Sequence, residues 1–244
     1  MAEADVVEEV IDAATDDGEM AVVVKAPSSG ARATVVIFQD APGIRGSLHD
    51  FARNLAGEGY RVVMPDLHHR FGRMIGYEAS EATPEARAHI SQMLGAMTDA
   101  QIQHDLDAAL AATGSEAETG MGCVGFCLGA RAVYQSLRRL PDAFVAGAMW
   151  HPSFLANDVS GSPHLTAATL DQPLYIGIGT ADKVQSIEMH RPFFDAVEPL
   201  GHVEVRVFDG ADHGYTWPTS PNYHAEAATV SWERTLALFD ATLG

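Results

Sequence analysis

Gly125-Phe126-Cys127-Leu128-Gly129 stands directly after the apolar run Met121–Phe126 and directly before the amphipathic stretch Leu128–Leu140. A G-x-C-x-G turn between strand and helix holds its cysteine on a strained backbone, and glycines on either side let the turn close. The helix start beyond it offers free N–H groups and a partial positive charge, which favour a thiolate and an oxyanion alike. The Leu128 N–H is therefore a candidate oxyanion donor. A thiol also needs a base, and the base needs an acceptor that fixes its tautomer. Gly177-Ile178-Gly179-Thr180-Ala181-Asp182 places an acid just past a strand, and Asp209-Gly210-Ala211-Asp212-His213-Gly214 places a histidine in a later loop. The order is nucleophile, acid, base. Asp209 and Asp212 compete with Asp182, but both share the loop of His213, where turn formation suits them better.

Competing chemistry is weaker. Gly120-Met121-Gly122-Cys123-Val124-Gly125 matches the dinucleotide pattern G-x-G-x-x-G, yet its glycines lie inside the apolar strand instead of after it. Cys123 reads as a buried strand residue. His68-His69 adjoin in a loop, His104 lies on the outer side of a helix, and His151 follows a strand where it can line a pocket. None has a partner at a recognised ligand spacing, so no metal is expected.

ATVVIF at 33–38, Arg61–Met64, Met121–Phe126, Ala143–Trp150, Leu174–Ile178 and Val203–Phe208 read as strands, with Ala21–Val24 before them. Helices are expected from Ser47, as cap, to about Gly57, over 84–112 with a break near Gly95, over Leu128–Leu140, around Ser186–Val197, and from about Tyr223 to Leu243. Alternating strand and helix imply an α/β fold, a mostly parallel sheet with helices on both faces, in one domain spanning 1–244. The chemistry then collects in the loops at one sheet edge, an arrangement matching α/β-hydrolases. Stretches 66–83 and 151–172 are long enough to cap a site.

The formal charge of −18 repels phosphate backbones and anionic membranes, which argues against nucleic-acid and membrane partners. Residues 1–19 carry eight acids and neither Lys nor Arg. The acidic arm 1–16 is compatible with a loose tail or a packed segment, and truncation separates the two. Two cysteines exclude a disulfide scaffold and fit a reducing compartment. With no basic-then-apolar leader and no apolar run approaching ~18 residues, a soluble cytoplasmic protein is expected, a monomer or small homo-oligomer.

Over roughly residues 20–243 the chain resembles the dienelactone hydrolase family. Gly125-Phe126-Cys127-Leu128-Gly129-Ala130 is similar to its G-Y-C-x-G-G elbow, Phe38-Gln39-Asp40-Ala41-Pro42-Gly43-Ile44 to its first loop, and Met64-Pro65-Asp66-Leu67 to its P-D-L-Y segment. The two downstream loops and the closing helix with Glu233-Arg234-Thr235 also agree. The resemblance implies a Cys127–Asp182–His213 triad, oxyanion donors at Leu128 and Ala41, no cofactor, and a small ester or lactone as substrate. It also implies an acid near the thiol at Asp40, where the family usually has Glu. His151, Trp217 and Phe126 are the expected pocket residues. Trp217 stands four residues after His213, where the namesake enzymes place an arginine for the substrate carboxylate; Arg70, Arg73 and Arg87 are the substitutes the sequence offers. The alternative from another class is a non-catalytic ligand-binding protein or thiol sensor on the same fold.

Overall fold

The computed structural model describes residues 5–243. Strand β1 (Val6–Thr15) pairs antiparallel along its length with β2 (Gly18–Pro27), and β2 pairs antiparallel with β4 (Tyr60–Pro65). From there the sheet is parallel: β4 beside β3 (Ala33–Phe38), then β5 (Met121–Phe126), β6 (Phe144–Trp150), β7 (Leu174–Gly179) and β8 (Val203–Phe208). The eight-stranded order is β1-β2-β4-β3-β5-β6-β7-β8.

Among the described residues six α-helices cover it: α1 (Gly46–Gly57), α2 (Pro84–Ala96), α3 (Asp99–Ala112), α4 (Leu128–Arg139), α5 (Ile187–Val197) and α6 (Ala225–Thr242). Apolar residues of one parity on β3, Val35 and Ile37, pack with Leu48, Phe51 and Leu55 of α1 and Phe239 of α6. Those of the other parity, Val36 and Phe38, pack with Leu106 of α3, Val133 and Leu137 of α4 and Phe193 of α5. Central strands buried on both faces require such unbroken apolar runs.

One open alternative is decided and two expectations change. Most of the acidic arm is a strand: β1 turns back at Asp16-Asp17, and the Thr15 hydroxyl donates to Gly18 O at 2.8 Å; residues 1–4 lie outside the described residues. Ser47 is not the cap of α1, because Arg45 holds that position and the Ser47 hydroxyl donates to Glu78 instead. The break in 84–112 falls at Met97-Thr98, where Thr98 caps α3 through a reciprocal bond with Gln101.

The topology fixes where the chemistry goes. From β3 the chain moves outward to β4, then crosses back so that β5 lies on the other side of β3. Such a switch point leaves a crevice at the strands' carboxyl ends. Phe38 is in register with Gly125, so Asp40-Ala41 and Cys127 leave neighbouring strands side by side.

Candidate active site

Cys127 occupies the turn between β5 and α4 with φ 54° and ψ −115°, a left-handed conformation that is strained for a residue with a side chain. Both flanking glycines are required by close approach. A Cβ at Gly125 would enter the van der Waals shell of Gly129 O, and one at Gly129 would meet Phe38 O. The helix can therefore begin against the end of β3 only because Gly129 has no side chain.

The Cys127 Sγ lies 3.2 Å from the Ser153 hydroxyl, and the Ser153 N–H donates to Cys127 O at 3.0 Å. Burial opposes a thiolate, but the His213 charge and hydrogen bonding with His213 and Ser153 outweigh it and hold the thiol below its ordinary value. The charge of Asp40 works the other way. Cys123, by contrast, is wholly buried in β5, and desolvation pushes its thiol far up. The two cysteines differ in chemistry although they are four residues apart.

His213 Nδ1 is 2.8 Å from Asp182 Oδ2. Asp182 Oδ1 accepts the backbone N–H groups of Val184 and Gln185, so the carboxylate is held from its own loop. Burial disfavours the imidazolium, yet the Cys127 charge, Asp182 and the thiol hydrogen bond raise His213 to about 10. With Nδ1 committed to Asp182, Nε2 is the nitrogen left to exchange a proton with the Cys127 thiol. The rival acids are employed elsewhere: Asp209 accepts from Thr180, and Asp212 accepts the N–H groups of Lys183 and His213.

Leu128 and Ala41 are both buried, and neither N–H has a hydrogen-bond acceptor among the described residues. His68, a residue that sequence reasoning set aside, places Nε2 at 2.9 Å from Ala41 O and so fixes the loop that carries one of these donors.

Asp40 is occupied. Arg45 donates to both its oxygens, at 2.6 and 2.9 Å, and Trp217 Nε1 donates to Oδ2 at 2.8 Å. The Trp217 ring lies 4.8 Å from the Arg45 guanidinium. Trp217 thus bonds the acid and stacks on the guanidinium that neutralises it. Arg70 pairs with Asp105 and Asp17, Arg73 pairs with Asp12, and Arg87 is exposed, so none of the three arginines offered by the sequence enters the site.

Cys127, His213, His151, Trp217 and Arg45 line one cavity of about 300 Å³, with Asp40, Tyr77, Glu78, Thr219 and Ser220 and apolar residues such as Ile90, Leu94 and Val184 completing its wall. A second cavity of about 360 Å³ shares Leu94 and is bordered by Leu128 and Phe154. His151 is buried in the cavity wall with φ 37°, and burial and the His213 charge push it well below the ordinary imidazole range. Phe126 does not line the cavity: its ring packs 4.7 Å behind Trp217, because residues of β5 point into the core. Ser153 and Arg45 were missed by sequence reasoning. The available signals were the position of Ser153 just past a strand's carboxyl end and a lone arginine five residues after Asp40. No group of three or more His, Cys, Asp or Glu side chains able to hold a metal occurs among the described residues, and no helix there is long and apolar enough to cross a membrane.

An elbow at a switch point, an acid after β7 and a histidine after β8 define an α/β-hydrolase. The dienelactone hydrolase family model matches residues 20–243, and the chain belongs to that family; it is a hydrolase. Relatives include the carboxymethylenebutenolidase of Rhodococcus opacus, 27% identical over 219 residues, covering 88% of this chain and 83% of the relative. A protein of Methylorubrum extorquens provisionally given the same name is 28% identical over 208 residues, covering 82% and 69%. Among solved structures, a protein of Klebsiella pneumoniae provisionally named a dienelactone hydrolase has a TM-score of 0.82 at 23% identity, over 97% of this chain and 99% of the other.

Proposed function

We propose that the protein hydrolyses a small ester or lactone through a covalent intermediate on Cys127. The observation that carries this reading is the shared placement of a depressed thiol, an imidazole whose Nε2 is left to exchange a proton with it and a buried carboxylate on that imidazole's Nδ1.

The Cys127 thiolate attacks the carbonyl carbon, and the oxyanion that forms takes the N–H groups of Leu128 and Ala41. His213 gives its Nε2 proton to the leaving alkoxide, producing a thioester on Cys127. Water then attacks this thioester while His213 Nε2 accepts its proton, and the thiolate departs with the acid product. Asp182 keeps the imidazole in its tautomer and orientation throughout. Asp40 modulates the thiol through its charge, not by taking its proton, since Arg45 and Trp217 engage both its oxygens. Retained turnover of a short aryl ester by His213→Ala would contradict this reading; its loss with the fold intact supports it.

A further inference from the structure

We propose that the site takes esters whose acyl chain is neutral and apolar, and that it rejects acyl chains bearing a carboxylate. The inference rests on the hydrolytic reading of the same cavity. Among the described residues Arg45 is the one Lys or Arg side chain lining that cavity, and the His213 imidazolium there is already paired with Asp182 and the Cys127 thiolate, so any further electrostatic anchor for an anionic substrate must be Arg45.

That guanidinium is already committed. Asp40 takes both its terminal nitrogens, Gly43 O accepts from Nη1 at 2.9 Å, and Nε lies 3.8 Å from Glu78. Trp217 covers its face. One guanidinium thus stands against two carboxylates, and its side chain and that of Asp40 are each only 5% exposed. A third carboxylate would have to break a buried bidentate pair, leaving Asp40 unpaired, or enter with no counter-charge; both are costly in a desolvated cavity. The adjoining cavity repeats the arrangement, because Arg131 is taken by Asp99 and Phe154 O. The hydrogen-bonding groups left unpaired in the wall are the imidazole nitrogens of His151 and the backbone N–H of Ala41. These suit neutral carbonyl and alcohol oxygens, while Ile90, Leu94, Ala82 and Val184 suit a hydrocarbon chain.

The test compares two esters of equal acyl length, p-nitrophenyl hexanoate and the mono-p-nitrophenyl ester of adipic acid. The expected result is a kcat/KM about 30-fold or more in favour of hexanoate, with the preference shrinking in Asp40→Asn, which frees Arg45. Glu78→Gln is the second variant, at a half-buried position, should Asp40→Asn not fold. Equal turnover, or a preference for the adipate ester, overturns the proposal while leaving Cys127 hydrolysis standing. A second readout does not need hydrolysis: the rates of Cys127 alkylation by neutral iodoacetamide and anionic iodoacetate, followed by intact mass. Their ratio should exceed that of N-acetylcysteine and fall in Asp40→Asn or Glu78→Gln; a ratio equal to the free thiol's overturns the proposal. Absence of turnover with both esters, with a raised alkylation ratio, would remove the hydrolytic reading and retain the charge discrimination.

Discussion

His213 and Asp182 meet at 2.8 Å between Nδ1 and Oδ2, and the second Asp182 oxygen is tied to the N–H groups of Val184 and Gln185. The carboxylate therefore cannot turn away from the imidazole without breaking two backbone bonds. Asp182→Asn should keep the loop but present an amide that also satisfies the wrong histidine tautomer. The expected loss in kcat for a small aryl ester is on the order of 10³–10⁴-fold, with the melting temperature little changed.

Ser153 Oγ stands 3.2 Å from the Cys127 sulfur and helps hold the thiol below its ordinary value. Ser153→Ala removes a hydrogen bond to a charged group, so the midpoint of Cys127 alkylation against pH should rise by about 1 unit. His213→Ala should raise it further, because burial then acts with little to oppose it.

The same pair makes stability depend on pH with a defined sign. His213 is raised from 6.5 to about 10, so its contribution is present below the unfolded value and is lost as pH rises through 10. Cys127 is lowered from 9.0, so its contribution is present above that value and is lost as pH falls through the folded one. Above both the folded thiol value and the ordinary imidazole value of 6.5, and below the ordinary thiol value of 9.0, the folded pair and the unfolded pair each hold one proton, and the stability is flat. The melting temperature of the wild type relative to Cys127→Ala should be highest in that window and decline on both sides.

Gly129→Ala tests the elbow's packing. The added Cβ would meet the carbonyl oxygens of Phe38 and Gln39, both backbone atoms of the strand end that carries Asp40 and Ala41. Overpacking of this kind costs about 1–3 kcal/mol. Denaturant unfolding should show that loss, and turnover should fall by more than about tenfold as the Ala41 donor is displaced.

Much of this site is legible in the sequence because its signals are local. The glycines around Cys127, the loop acid after one strand and the loop histidine after another need no knowledge of distant contacts. Phe38 and Gly125 pair in register, but nothing in their types announces it, and that pairing is what brings Asp40 beside the elbow. Arg45 was invisible for the same reason: its role depends on Asp40, Glu78 and Trp217, from three separate loops, converging on one guanidinium. Strand β1 escaped notice because, of its ten residues, only Ala13 is fully buried. Its acidic alternation looks like a solvated tail, while its ordering comes from backbone pairing with β2 and from Glu8 meeting the buried Lys25. The Asp17-Gly18 turn was the readable sign.

The most direct measurement is intact mass after brief exposure to a short activated aryl ester, made on wild type, Cys127→Ala and Cys123→Ala, with turnover followed in parallel. An acyl adduct and turnover are expected in wild type and Cys123→Ala, and neither in Cys127→Ala. Turnover that persists in Cys127→Ala, or an adduct that moves with Cys123, would contradict this expectation.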